Sequence, residues 1–369
     1  MRKRPIDWFA LIPILLLICI GLIMVLSASS PITANSESKD AFMIFKKQLA
    51  WVGLGLAAMY LASRYNYRKL QKYVLPAAAL TVVLLLAVFA SEARNGAHSW
   101  IVMGGYQFQP SEFVKLCLIL ILSRMMSNKA GRMHSFKEGL LPPLMVIGAV
   151  CALVVIEPDL GSTMVIAITS FVMLFAGGAR RLHLSALAAA GIFLGIVGIA
   201  AADYRLARVF DFWDPMKDPS GGGYQIIQSL YAIGSGGFMG VGLGRSMQKF
   251  YYIPEQHTDF IFSIIAEELG FIGSTFIVML FIFFAARGYR IANSARDNFG
   301  SLLACGLTTS ILVEAIINIA VVTSSMPVTG ITLPFISYGG SSLIFKMTAV
   351  GVLLNVSRYS CRQETAYTW

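Results

Sequence analysis

The feature that most constrains this chain is a succession of ten apolar stretches, over residues 8–28, 49–61, 74–90, 110–123, 140–156, 160–176, 182–202, 260–286, 302–322 and 335–356. A bilayer core needs about 20 mostly apolar residues per helical crossing, so the shorter stretches must extend into their flanks. Lipid offers no partner to a free backbone amide, so each crossing must be helical. Over the 369 residues, 57% are hydrophobic and 13% charged. That charge is about half the share typical of a soluble domain. An ordinary cytosolic enzyme and a disordered, nucleic-acid-coating chain are both excluded. The expected fold is an all-α polytopic integral membrane protein of about ten transmembrane helices. A large extracytoplasmic loop, residues 203–258, lies between helices 7 and 8. The whole chain, 1–369, reads as a single transmembrane domain.

The net charge of +10 is a topology signal. With the N-terminus and its Arg2, Lys3 and Arg4 in the cytoplasm, the inner connections hold 18 of the 29 Lys and Arg residues and the outer ones 9. Lys115 and Lys346 fall within spans. Acidic residues divide the other way, 4 inside and 11 outside. This positive-inside bias predicts both termini in the cytoplasm, and it points to anionic lipid, with no nucleic-acid partner. The first apolar run is too long for a cleavable signal peptide and has no small-residue cleavage site. Of the five cysteines, four sit in spans and Cys361 in the tail, so no disulfide framework or metal spacing is expected.

The inner connections are short and basic. The outer ones, 91–109, 203–258 and 324–334, have the lengths at which loops carry function, and the third is expected to dip back into the membrane. Chemistry is therefore expected on the extracytoplasmic side. Glu112 and Lys115, at i and i+3 after Pro110, can pair on one helix face. They are either a structural ion pair or an arm of a polar cavity. In Glu157-Pro158-Asp159-Leu160-Gly161-Ser162 the carboxylates could hold a divalent cation, or Asp159 could cap the next helix. The segment Gly234-Ser235-Gly236-Gly237-Phe238-Met239-Gly240-Val241-Gly242-Leu243-Gly244-Arg245 lacks the preceding strand of a nucleotide loop; its glycines permit close backbone approach to a ligand or a helix. Arg205, Arg208, Arg245 and Lys249 are candidates for a phosphate-bearing ligand, or for lipid headgroups, with Trp213, Tyr251 and Tyr252 as an interfacial belt. Asp259, in His257-Thr258-Asp259-Phe260, stands where the long loop enters the eighth span. Partial desolvation there would raise its pKa and make it a base; the alternative is a helix N-cap. Of Glu267 and Glu268, one is expected to face the bundle interior. Gly191 and Gly195 read as helix-packing positions.

Several of these words belong together. Gln109-Pro110-Ser111-Glu112, Glu157-Pro158-Asp159-Leu160-Gly161, Gly223-Tyr224-Gln225, Gly234-Ser235-Gly236-Gly237, His257-Thr258-Asp259-Phe260, Pro327-Val328-Thr329-Gly330 and Leu333-Pro334-Phe335-Ile336-Ser337-Tyr338-Gly339-Gly340-Ser341-Ser342 resemble the SEDS family (RodA, FtsW, SpoVE) in order and over essentially the whole chain. Val321-Val322-Thr323 and Asn355-Val356-Ser357-Arg358-Tyr359-Ser360 look closer to the FtsW/SpoVE branch. The resemblance implies a peptidoglycan glycosyltransferase of the bacterial plasma membrane that polymerises lipid II into undecaprenyl-linked glycan, for division, shape or spore cortex. It also implies a class B penicillin-binding protein, a transpeptidase, as partner. Residue by residue it implies Asp259 as the catalytic carboxylate, Glu112 and Lys115 as the membrane-level pair, and Asp159 as the Glu-Pro-Asp aspartate. His257, Ser341 and Ser342 join Glu112, Lys115, Arg208 and Arg245 as candidate substrate-binding residues. A divalent cation, Mg2+ or Mn2+, near Asp159 is the expected cofactor, with no organic cofactor. The chain departs from the family pattern at His98, where relatives often carry Arg (Arg94 is near), at Val322-Thr323-Ser324-Ser325, and at Lys346, a charge within the last span. Two rival readings are a lipid II flippase, with Glu112, Lys115, Glu267, Glu314 and Lys346 lining a polar path, and a non-catalytic scaffold that recruits a transpeptidase.

Overall fold

The computed structural model describes residues 5–34, 42–88, 100–103 and 106–360. Arg2, Lys3, Arg4, Arg94, His98 and Cys361 lie outside the described residues. Each of the ten apolar stretches falls on a helix: α1 (Trp8–Ala34), α2 (Met43–Arg64), α3 (Val74–Val88), α4 (Pro110–Asn128), α5 (Leu141–Ile156), α6 (Leu160–Ala176), α7 (Arg181–Ala200), α10 (Ile261–Asn293), α11 (Asn298–Val322) and α12 (Gly340–Ser357). Among the described residues, seven helical segments are long and apolar enough to cross a membrane, and α6 is a shorter apolar helix. The chain is thus a multi-pass helical membrane protein. Helices α2 and α4 carry charge along their length, with Lys46 and Lys47 on one and Glu112, Lys115 and Arg124 on the other.

The long segment after α7 is more structured than a loop. It forms α8 (Asp203–Trp213), a short 3-10 turn at Pro215–Lys217, and α9 (Tyr224–Gly236). No residue of α8 is buried, whereas α9 buries Ile226, Ile227, Ser229, Ala232 and Gly236 against its neighbours. The strands β1 (Ile101–Met103) and β2 (Tyr106–Phe108) pair antiparallel just before α4.

Helix α11 is the centre of the bundle, with Leu303, Ala304, Leu307, Ala315 and Val322 all but excluded from solvent. Helix α7 lies at the other extreme: Ile192, Phe193, Leu194 and Ile196 are exposed, as lipid-facing side chains are. A Cβ added at Gly191 or Gly195 would meet nothing within 4 Å, so these glycines do not pack helices within the chain, contrary to the expectation from spacing. Helix α10 breaks at Gly270, with φ of 66°. There the glycine-rich segment docks on it. Val241 and Gly242 donate backbone hydrogen bonds to the carbonyls of Glu267 and Glu268, and Phe271 and Ile272 donate to those of Gly237 and Phe238. A Cβ on Gly240 would strike the Glu268 carbonyl, and one on Gly236 the Ala266 carbonyl. The glycines serve close approach of backbone to a helix. The chain from Ser324 to Gly339 then turns back into the bundle, burying Leu333, Phe335 and Ile336.

Candidate active site

The sequence words converge at one end of the bundle. Thr258 and His257 are tied to the segment before α12: Ser337 Oγ donates to the Thr258 carbonyl at 2.6 Å, and the Tyr338 amide donates to the His257 carbonyl at 2.9 Å. The His257 ring lies 5.6 Å from that of Tyr338. Burial holds the His257 pKa below its ordinary value. Asn318 on α11 fixes two strands of the site at once. Its Nδ2 donates to the carbonyls of Asp259 and Ile331, both at 2.7 Å.

Asp259 is not spent as a cap. The residue at the cap position of α10 is Phe260, and no side chain caps that helix. The half-buried Asp259 carboxylate lies against Gly330, where φ is +73° and a Cβ would stand 3.6 Å from Oδ2. A Cβ there would only touch the carboxylate at ordinary contact distance, but the positive φ would strain the backbone of any other residue at 330. Burial, reinforced by the Glu255 carboxylate and more weakly by Asp159, raises the Asp259 pKa to about 7, and Arg208 opposes the rise. Arg208 reaches over from α8, with Nη1 donating to the Val328 carbonyl at 3.3 Å.

Asp159 adopts the capping reading. Its Oδ1 accepts from the Ser162 amide at 2.8 Å at the start of α6. Its Oδ2 accepts from Gln109 Nε2 and from Ser111 Oγ, each at 3.3 Å, which ties α6 to the entry of α4. Gly161 packs so closely that a Cβ would come within 2.8 Å of the Thr329 carbonyl. Burial, with help from Asp159, lifts the Glu157 pKa to about 8. Among the described residues no three His, Cys, Asp or Glu side chains gather as a metal site. Both Asp159 oxygens accept hydrogen bonds from the protein, one of them from the amide that the cap serves.

Beneath this surface the predicted Glu112–Lys115 pair is half of a buried quartet. Lys115 Nζ stands 3.0 Å from Glu112 and also pairs with Glu314 on α11. Lys346 on α12 lies 2.9 Å from Glu314 and 3.6 Å from Glu112. Lys346 Nζ also donates to Ser342 Oγ at 2.5 Å, and Ser341 Oγ accepts from the Gln109 amide at 3.3 Å. The two carboxylates and two amines pair with one another in a medium where an unpaired ion is costly. The cavity beside them is about 30 Å3, room for a water or two.

Glu112, Lys115, Asp159, Arg208, His257, Asp259, Ser341 and Ser342 are therefore joined by contacts into one assembly. Lys249 and Arg245 are not part of it. Lys249 is buried and ion-paired with Glu268 at 3.1 Å. Arg245 is exposed, on a loop held by Glu267 through the amides of Met247 and Gln248. Both Glu267 and Glu268 are buried, where only one was expected inward. Asn318 was missed as a site residue, and Glu314 was named only for a transport path. Their signal was present, as polar residues at i and i+4 within an otherwise apolar helix.

Known proteins are similar to this chain in sequence and fold. A family model for FtsW, RodA and SpoVE, described as cell cycle protein, matches residues 7–362. Stage V sporulation protein E of Bacillus subtilis is 46% identical over 369 residues, covering 97% of this chain and 99% of that protein. The probable peptidoglycan glycosyltransferase FtsW of Geobacter sulfurreducens is 39% identical over 363 residues, with 97% of each chain covered. Among solved structures, a chain from work on the structural coordination of polymerization and crosslinking by a peptidoglycan synthase complex superposes with a TM-score of 0.79 at 29% identity, covering 96% of this chain and 98% of that one. The rod shape determining protein RodA of Thermus thermophilus superposes with a TM-score of 0.71 at 28% identity, with the same coverage. In sequence along its whole length, and in the fold that sequence adopts, the chain belongs to the FtsW/RodA/SpoVE family.

Proposed function

We propose that this protein is a peptidoglycan glycosyltransferase that polymerises lipid II at the outer face of the bacterial plasma membrane, with Asp259 as its general base. The carrying observation is Asp259 itself: a half-buried carboxylate, uncapped, with its pKa raised to about 7, set where five sequence words meet. A base works best with a pKa near the working pH. Asp259 takes the proton of the acceptor GlcNAc 4-hydroxyl. The oxygen bonds to the anomeric carbon of the lipid-linked MurNAc, and the bond from that carbon to undecaprenyl pyrophosphate breaks with inversion. The pyrophosphate leaves without a proton, so one carboxylate suffices. Arg208 supplies positive charge toward the departing phosphates.

The supporting comparisons are with proteins named as probable peptidoglycan glycosyltransferases and with a chain of a peptidoglycan synthase complex. The reading includes a class B penicillin-binding protein as cross-linking partner. The inner-face excess of Lys and Arg supports cytoplasmic termini and, with them, an outward-facing Asp259 end of the bundle. Asp159 is assigned to capping, and no step runs through a protein-held divalent cation. Transport through the bundle finds no support in the quartet, whose charges close on each other around a cavity of about 30 Å3. The test is polymerisation of fluorescent lipid II by the purified protein with its transpeptidase, products resolved on a gel. Wild type is expected to give glycan strands, and Asp259→Asn, folded by gel filtration, at least about 100-fold less. Comparable polymer from both would remove Asp259 from the mechanism.

A further inference from the structure

At the end of the bundle away from Asp259 lies a pocket that the reaction does not use. Helices α5 and α6 each run about 25 Å between it and the Glu157–Asp159 turn, at 1.5 Å per residue. The pocket, about 550 Å3, is lined by residues of the two connections flanking those helices, among them Arg132, His134, Glu138, Arg180 and His183. Its volume suits a small ligand. Its lining is cationic and imidazole-rich against one carboxylate.

Three further observations give the ligand its chemistry. Arg180 occupies the cap position of α7 with extended backbone, no side chain caps that helix, and Arg181 follows. Two cations thus stand at the positive end of a 20-residue helix, the end that favours anions, and its open amides are groups that hold phosphate. His183, in the first turn of α7, is a half-buried imidazole of the lining, and its ring meets Phe136 edge-on at 5.6 Å. The rim is apolar: Leu182 is 77% exposed and Phe136 47%. An anionic group between the arginines and beside the His183 ring, with hydrocarbon against Leu182 and Phe136, matches this wall.

We propose that this pocket is a binding site for a phosphate group, occupied by the headgroup of an anionic membrane phospholipid whose acyl chains lie along α7. Basic pockets between membrane helices suit such headgroups. The experiment uses the full chain in neutral detergent, with dioleoylphosphatidylglycerol, dioleoylphosphatidylcholine and inorganic phosphate as separate probes. Binding is read by native mass spectrometry and by the shift in melting temperature. Wild type is expected to prefer the phosphatidylglycerol over the phosphatidylcholine at least tenfold. Arg132→Ala/Arg180→Ala is expected to lose that preference and Arg132→Lys/Arg180→Lys to keep most of it. Arg290→Ala/Arg296→Ala, at the same end of the bundle, is expected to bind as wild type does. Saturation by inorganic phosphate alone, abolished by the same alanine pair, would support the phosphate site and assign it to a soluble source. Undiminished preference in Arg132→Ala/Arg180→Ala, or equal loss in Arg290→Ala/Arg296→Ala, overturns the proposal, since the charge of the whole face would then account for binding.

Discussion

Asp259 and Asp159 show how one residue type is put to two uses by its backbone. Asp159 stands at the cap position of α6, where its Oδ1 accepts an amide hydrogen. Asp259 stands one residue before the cap position of α10 and accepts no such bond. Spacing left capping open for both residues, because a cap is decided by the dihedral angles of a single residue. Asp159→Ala should therefore cost about 1 kcal/mol of stability in thermal or denaturant unfolding, with the divalent-cation concentration needed for activity unchanged. For Asp259 the folded pKa, about 7, lies above the ordinary aspartate value of 3.8. Between those values the folded chain keeps a proton that the unfolded chain has lost. Stability from this group is thus full at the acid end of the window and falls as pH rises toward 7. Asp259→Asn should flatten that fall in stability while abolishing turnover, so unfolding curves from pH 4 to 7 separate the two effects.

Among the elements, α11 ties the site together, and it was the least legible. Its partners Lys115 and Lys346 lie on α4 and α12; the bond from Lys115 spans 199 residues of sequence. The Glu112–Lys115 pair was readable because both ends share one helix face. The quartet was not, because helix-to-helix register is set by packing. Lys346 stood out only as a departure from the family pattern and proves to balance Glu314. Glu314→Gln should cost about 3–5 kcal/mol, as breaking a buried pair does, by leaving two ammonium groups facing one carboxylate. The charge-balanced Glu314→Gln/Lys346→Met should recover much of that loss in thermal unfolding in detergent. The glycine-rich segment was legible in kind, since close backbone approach was expected, and its partner is now the kinked α10. Gly240→Ala, with φ of +78° and the Glu268 carbonyl in the way, should lower melting temperature and release the loop to protease.

At the scale of the whole molecule, hydropathy placed every one of the ten stretches on a helix, because a lipid-facing backbone has few alternatives. It could not see α8 and α9, which are too polar or too short to register as spans, and α8 carries the Arg208 that acts on Asp259. The motifs are scattered over more than 200 residues, yet they meet around one carboxylate. The central claim is that this carboxylate is the base, tuned by burial and by its neighbours. The direct measurement is the pH dependence of kcat/KM for lipid II polymerisation by wild type, Glu255→Gln and Arg208→Gln. Wild type should show an acid limb near pH 7, rising tenfold per pH unit below it. Glu255→Gln removes a charge that raises the Asp259 pKa, so its limb should move to lower pH. Arg208→Gln removes one that lowers it, so its limb should move to higher pH. Opposite displacements would establish Asp259 as the titrating base; a limb that stays put in both variants, or moves the same way in both, would contradict the account.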